Sequence, residues 1–315
     1  MKKLSFVIPC YRSEHTIEIV VDELIGILHQ MAAFDYEIVL VNDDSPDHVW
    51  TVIKRLADHN LKIQGISLAR NFGQHAALMA GYAYCSGDYV ISLDDDGQIP
   101  IEALPQLIDR LEEGYDVVGT YYEEDIKKQL FRRFGTWIAQ EMSRSMLGAP
   151  KDYKSSSFYI ARKFVIDEMI RYKNSYPYLA GLMLRTTRNI TCIPVKHRER
   201  LEGRSGYSAK KLIGLWLNGF TAFSVKPLRI ASFIGVFCAF IGFLSGTAVV
   251  IRKLFHPDML MGYSSTIASI FFVGGVIMMM LGMIGEYVGR IYISINNAPT
   301  YVIKETTLVK DAEVK

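Results

Sequence analysis

The chain has 315 residues, half of them hydrophobic, and a formal net charge of +2. That length holds one or two domains, and so small a charge, without an aromatic-interleaved basic stripe, excludes a nucleic-acid binder. The four cysteines, Cys10, Cys85, Cys192 and Cys238, form no CxxC or close pair, which argues against a zinc site or a disulfide framework and for thiols packed as small hydrophobes.

From the N-terminus, Met1-Lys2-Lys3 runs into too few apolar residues for a signal peptide, so the large domain is expected in the cytoplasm. LSFVI (4–8), YEIVLV (36–41), IQGISL (63–68), YVISL (89–93) and DVVGT (116–120) read as short buried strands. Between them, Ile17, Val20, Val21, Leu24, Ile25 and Leu28, then Val49, Val52, Ile53 and Leu56, repeat at helical spacing. Strands alternating with such helices predict an α/β fold with a mostly parallel sheet. Ligands of such sheets bind beyond the carboxyl ends of the strands.

Polar clusters fall at those ends. Pro9 to Tyr11 follows the first strand, Asn42-Asp43-Asp44 the second, Arg70-Asn71 the third and Asp94-Asp95-Asp96 the fourth. Three adjacent carboxylates repel one another unless a cation neutralises them. Hard oxygen ligands suit Mg²⁺ or Mn²⁺, and magnesium is commonly held by one or two carboxylates plus substrate phosphates. Asp94 and Asp96 are expected to address the metal and a diphosphate, with Asp95 between them and Gln98 nearby. Asp43 is placed to accept a hydrogen bond from a base or ribose, while Ser45 or Asp47 caps the second helix. Arg70 precedes a helix start, where N–H groups favour an anion. The chain has no P-loop, GxGxxG, HExxH or GxSxG motif.

Further on, Lys196, His197, Arg198, Arg200, Arg204, Lys210, Lys211, Lys226 and Arg229 gather ahead of an uncharged run, 230–251, about 33 Å long as a helix and enough for a hydrocarbon core. A second uncharged run covers 266–284. Together they predict a hairpin of two spans. The basic cluster puts its flank in the cytoplasm, although Arg252 and Lys253 would then face outward. Residues 209–229 carry Leu212, Leu215, Trp216, Phe220 and Phe223 on one side, as an interfacial amphipathic helix or a core-facing one would. The expected organisation is a catalytic domain over 1–208, a juxtamembrane helix over 209–229, two spans within 230–289, and a cytoplasmic tail over 290–315.

Seven segments in order, IPCYRSEHTI, VNDDSPD, LARNFGQHAALMAGY, SLDDDGQIP, RLEGRSGYS, FSVKPLR and GEYVGRIY, resemble the polyprenyl-phosphate glycosyltransferases. These are the dolichol-phosphate mannose synthase and bactoprenol glucosyltransferase group of inverting family-2 enzymes. The resemblance runs over nearly the whole chain. It implies a GT-A (Rossmann-like) domain at the cytoplasmic face of a bacterial inner membrane, followed by a C-terminal transmembrane hairpin. One sugar would pass from a nucleotide sugar, UDP-hexose or UDP-N-acetylhexosamine, to undecaprenyl phosphate, for cell-envelope glycan modification. Carried onto this sequence, the resemblance implies nucleotide-sugar contacts from Pro9, Tyr11, Glu14 and Asp43, with Arg70 and Asp95 beside them. It implies diphosphate and metal (Mg²⁺ or Mn²⁺) contacts from Asp94, Asp96 and Gln98. A loop carrying Arg200, Gly203 and Ser205 would close over the phosphates, and Lys128, Arg132 and Arg133 lie where relatives hold the acceptor phosphate. Relatives with this layout can pack as homo-oligomers through their spans, and a flippase is the candidate protein partner.

Four positions depart from the family pattern: Arg12 replaces an Asn, Asn42 an Asp, Ser157 the Asp of GDFRL that has been proposed as a base, and Gly206 a Lys. Loss of a base is tolerable, because a phosphate monoester with a second pKa near ~6 is already mostly a dianion at neutral pH. Two other readings stand beside this one. A polysaccharide synthase of the same fold would carry QxxRW, but none of Trp50, Trp137 and Trp216 sits in such a motif. A non-catalytic scaffold is opposed by the intact acidic motif.

Overall fold

The computed structural model describes residues 1–122, 144, 148–150, 153–154, 156–174, 177–196, 198, 226–255, 262–295 and 299–307. The chain divides into two compact units: Met1–Ser208 with Asn297–Lys315, and Ala209–Asn296.

The first unit is built on one eight-stranded sheet. Four parallel strands form its centre: β1 (Lys2–Cys10), β2 (Phe34–Asn42), β3 (Ile63–Leu68) and β4 (Tyr89–Ser92). They alternate with helices α1 (Ile17–His29), α2 (Val49–His59) and α3 (Gln74–Tyr82), and α4 (Leu104–Glu112) follows β4 through a 3-10 turn at Ile101–Ala103. Next come β5 (Val117–Tyr122), β6 (Tyr159–Arg162), α5 (Lys163–Ile170), α6 (Leu179–Thr186) and β7 (Ile190–Val195). A last strand, β8 (Ile303–Thr306), completes the order β7-β5-β6-β4-β1-β2-β3-β8. The sheet is mixed: β6 runs antiparallel to β4 and β5, and β8 antiparallel to β3. Those reversals are absent from the sequence-based expectation, because a strand's direction leaves no mark on its own apolar pattern.

Successive side chains of a strand point to opposite faces. Leu4, Phe6, Ile8 and Cys10 of β1 join one core cluster with Val20, Leu24, Ile53 and Leu107 of α1, α2 and α4. The opposite face carries Val7, on which α3 lies so closely that a Cβ at Gly81 would meet the Val7 side chain. With both faces covered, the central strands are continuously buried, as their unbroken apolar runs predict. Cys10 and Cys85 are buried, and none of the four cysteines forms a disulfide.

The edge strand β8 belongs to the sheet although it follows the second unit in sequence. Trp50 Nε1 donates to Glu305 at 2.9 Å, and the Gly65 amide donates to Thr307 Oγ1 at 2.8 Å. Gly65 has no spare room: a Cβ there would sit 2.6 Å from Ile53 Cγ2.

The second unit contains α7 (Lys226–Phe255) and α8 (Tyr263–Ile295), about 45 and 50 Å long. Among the described residues one stretch, Phe272–Gly289 of α8, is long and apolar enough to cross a membrane; α7 carries a shorter apolar stretch, Gly235–Leu244. Large apolar side chains on both helices are exposed, including Phe233, Phe237, Phe243, Phe272, Met278 and Leu281. The juxtamembrane helix expected over 209–229 falls mostly outside the described residues.

Candidate active site

The carboxyl ends of β1, β2, β3 and β4 lie side by side, so four short loops meet along one rim of the sheet. Their side chains are bonded mainly to one another. Asp43, 3 % exposed at the end of β2, accepts the backbone N–H groups of Phe72 at 2.7 Å and Gly73 at 2.8 Å. Gly73, the N-cap of α3, has φ 89°, a conformation that glycine adopts without steric cost. The anion that the start of α3 attracts is therefore a carboxylate of the chain itself. Burial raises the Asp43 pKa, against the lowering effect of those two N–H groups. Arg70 is exposed, with its guanidinium 4.6 Å from the centroid of the Phe72 ring.

The β1 and β2 loops are laced together. The Glu14 amide donates to Asp47 Oδ2 at 3.0 Å, and the His48 amide to Glu14 Oε2 at 2.8 Å. His48 precedes α2 without a side-chain capping bond, and Asp47 Oδ1 accepts the amide of Val49, the first residue of the helix, at 3.4 Å, in line with the expected cap. Asp47 also accepts from the Ser45 hydroxyl at 2.5 Å, and the Arg12 amide donates to Ser45 Oγ at 2.7 Å. Among the described residues the only non-glycine positive φ values are at Arg12 (58°) and Asp44 (49°), both in this pair of loops. Such backbone strain tends to gather at functional sites. Pro9 is buried within β1 opposite Val41, while Tyr11 is 43 % exposed with the Arg12 guanidinium 5.5 Å from its ring centroid.

The three consecutive aspartates after β4 have different hydrogen-bond partners. Asp95 Oδ2 accepts the Tyr11 amide at 2.9 Å, and the Asp95 carbonyl accepts the Thr16 hydroxyl at 2.7 Å. Asp94 turns toward α3 and β6: Gln74 Nε2 donates to Oδ1 at 2.7 Å, and the Ser157 hydroxyl donates to Oδ2. Asp96 Oδ1 accepts the Gln98 amide at 3.1 Å within its own turn. Burial pushes the pKa of both Asp94 and Asp95 up to about 6. Repulsion from Asp96 adds to the rise at both, and the Ser157 and Gln74 donors oppose it at Asp94.

A divalent cation fits this donor set. Crowded carboxylates with raised pKa values are what a positive charge would relieve. Among the described residues no three His, Cys, Asp or Glu converge as a metal cage, but magnesium needs only one or two carboxylates when phosphates and water complete its shell.

Gln98 Nε2 lies 3.4 Å from the Arg198 carbonyl, and the Arg198 guanidinium donates to Glu23 at 2.7 Å and to Glu102 at 2.6 Å. The segment leading to the expected phosphate-closing loop is thus fastened to the rim. Arg200, Gly203, Ser205 and Gly206 of that loop lie outside the described residues, as do Lys128, Arg132 and Arg133. The expectation from sequence passes over Gln74 and His75, and counts Arg198 only in the basic cluster ahead of the first apolar run. Gln74 and Ser157 reach Asp94 from 20 and 63 residues away, a convergence that no local spacing announces.

The model of the family described as "Glycosyl transferase family 2" matches residues 5–171, and that of the "GtrB C-terminal hairpin" matches residues 226–291. The SfII prophage-derived bactoprenol glucosyl transferase of Shigella flexneri is 32% identical over 306 residues, covering 96% of this chain and 98% of its own. The undecaprenyl-phosphate 4-deoxy-4-formamido-L-arabinose transferase of Yersinia pestis (strain Pestoides F) is 32% identical over 316 residues, covering 99% and 96%. Among solved structures, glucosyl-3-phosphoglycerate synthase from Mycobacterium tuberculosis, in complex with Mn²⁺ and UDP-glucose, shares the fold. The TM-score is 0.52 at 18% identity, over 70% of this chain and 77% of that one.

Proposed function

The chain belongs to glycosyl transferase family 2 and ends in a GtrB-type hairpin, and from that premise we propose that it moves one sugar from a nucleotide sugar to a polyprenyl phosphate. The observation that carries this reading is the carboxylate cluster at the rim of the sheet, with Asp94 and Asp95 raised to about 6. It stands in a chain similar over nearly its full length to transferases named for bactoprenol and undecaprenyl phosphate. The donor is a UDP-sugar, in keeping with the UDP-glucose in the structure that shares this fold.

In this reading Pro9, Tyr11, Glu14, Asp43 and Arg70 shape the nucleotide end of the site, with Asp95 fixing the Tyr11 loop. Asp94, Asp96 and Gln98 face the diphosphate, and Asp94 and Asp96 would hold Mg²⁺ or Mn²⁺. When bound, the cation neutralises charge on the departing nucleoside diphosphate. The acceptor phosphate oxygen forms the bond to C1 of the sugar as the C1–O bond to the diphosphate breaks, and the leaving group takes the electron pair. Attack opposite the leaving group inverts the anomeric centre. The acceptor is already a dianion, so no residue need remove a proton. Ser157 accords with this: its hydroxyl donates to Asp94 and positions that carboxylate. Arg200 and Ser205 close over the phosphates, and Lys128, Arg132 and Arg133 receive the acceptor.

The first unit contains both 1–208 and 297–315. A chain that leaves a unit and returns to it crosses a membrane an even number of times, which supports two spans, α7 and α8. The basic residues ahead of α7 favour the cytoplasmic face of a bacterial inner membrane for the catalytic unit. The decisive experiment incubates detergent-purified protein with undecaprenyl phosphate, Mn²⁺ and single nucleotide sugars, and seeks a glycosyl-phosphoryl-lipid by mass spectrometry. The product should be lost with EDTA and in Asp96→Asn; no product from any donor would overturn the reading.

A further inference from the structure

Beside Asp94 lies a cavity of 160 Å³ bounded by α3, the 156–157 segment and α6. It is smaller than the ~300 Å³ at which whole-ligand pockets begin, so it has room for one part of a donor. Its walls differ in chemistry. Gln74 and Ser157, both donors to Asp94, form a polar side. Leu78 of α3 with Ala180 and Met183 of α6 form an aliphatic side.

His75 also lines the cavity, and its ring is fixed. Nδ1 is 3.1 Å from the Pro177 carbonyl oxygen, and the ring centroid is 6.0 Å from that of Tyr178. A carbonyl only accepts, so Nδ1 carries the proton. Burial holds the imidazole pKa below its ordinary 6.5, although the Pro177 bond raises it. In the neutral ring Nε2 is then an acceptor. The cavity thus sets the His75 acceptor beside an aliphatic wall, and no Lys or Arg is among the described residues lining it.

We propose that this cavity receives an acylamino substituent of the transferred sugar, with the amide N–H donating to His75 Nε2 and the acyl methyl packing on Leu78, Ala180 and Met183. The site therefore selects an N-acylhexosamine donor over the unsubstituted hexose. A hexose hydroxyl could reach His75 but would leave the aliphatic wall without a partner, and an acidic substituent would meet no cation. This assignment rests on the reading of the chain as a nucleotide-sugar transferase.

The test is calorimetric binding to the full-length protein in detergent with Mg²⁺, using UDP-N-acetylglucosamine, UDP-glucose and UDP alone. The N-acetyl donor should bind at least about tenfold tighter than UDP-glucose, the range that small substituents in pockets command. Met183→Phe, which fills the aliphatic side, should bring the ratio near one. His75→Ala should weaken the N-acetyl donor about tenfold, and His75→Gln, which restores an acceptor, should recover part of the loss. UDP alone should bind each variant like the parent, which controls for folding. Equal affinity of the parent for the two sugars, or a ratio that neither variant changes, overturns the assignment. Failure of both UDP-sugars to bind overturns it together with the uridine reading. Binding is measured without turnover, so a missing glycolipid in the transfer assay sinks the proposed reaction and leaves these ratios to be judged separately.

Discussion

The Ser157 hydroxyl, two residues before β6, donates its hydrogen to Asp94 Oδ2 after β4. A hydroxyl committed as a donor to a carboxylate sets that carboxylate's orientation and does not serve as a base.

Ser157→Ala should therefore cost about 1 kcal/mol of stability, typical of one lost hydrogen bond. Turnover should stay within roughly tenfold of the parent, since removing a true general base costs about 10²–10⁴. Steady-state glycolipid formation by the variant measures this directly, and a thousandfold loss would return Ser157 to the chemistry.

Asp43→Asn leaves one acceptor oxygen where two N–H groups now find partners. Hydrogen bonds to a charged group contribute roughly 1.5–3 kcal/mol, so the thermal midpoint should fall by several degrees and nucleotide affinity should fall with it. A variant as stable as the parent would mean that the β2 rim does not depend on this carboxylate.

Acid should weaken the central strands through Glu37 of β2. Burial raises its pKa, but bonds from Lys3, Ser5 and Ser86 outweigh burial and leave it below the ordinary 4.5. A carboxyl that is more acidic when folded contributes stability above its unfolded pKa and loses it as pH falls through the lower folded value. Midpoints in urea followed downward from pH 5 should decline more steeply in the parent than in Glu37→Gln. Parallel slopes would remove Glu37 from the account.

The proposed two-span topology is open to cysteine labelling in intact cells. In a Cys192→Ser, Cys238→Ser background, Gly262→Cys between α7 and α8 should react with a membrane-impermeant maleimide. Lys304→Cys on β8 should react only after lysis. Labelling of both positions from outside would exclude the hairpin.

Much of this fold is legible in the sequence because burial on both faces of the central sheet writes itself as the apolar runs of LSFVI, YEIVLV and YVISL. The acidic rim is legible because like charges crowd at Asp94, Asp95 and Asp96. What escapes is assembled from distant pieces. Strand β6 reverses direction beside β4, which brings Ser157 to Asp94, and His75 becomes informative only when Pro177 fixes its tautomer. Asp43 looks like a ligand-binding carboxylate in VNDDSPD, and only the fold reveals that its two oxygens also accept the amides of Phe72 and Gly73. Strand β8 has too short an apolar pattern to be distinguished from a tail.

Its position has a consequence for biosynthesis. The strand that covers β3 is encoded after both long helices, so the nascent catalytic unit waits with one sheet edge bare until the hairpin has been made. A bare edge of backbone donors and acceptors invites pairing with other chains. Translation therefore finishes the first unit last, and a chain that stops short of β8 keeps its sheet edge open to aggregation and proteolysis.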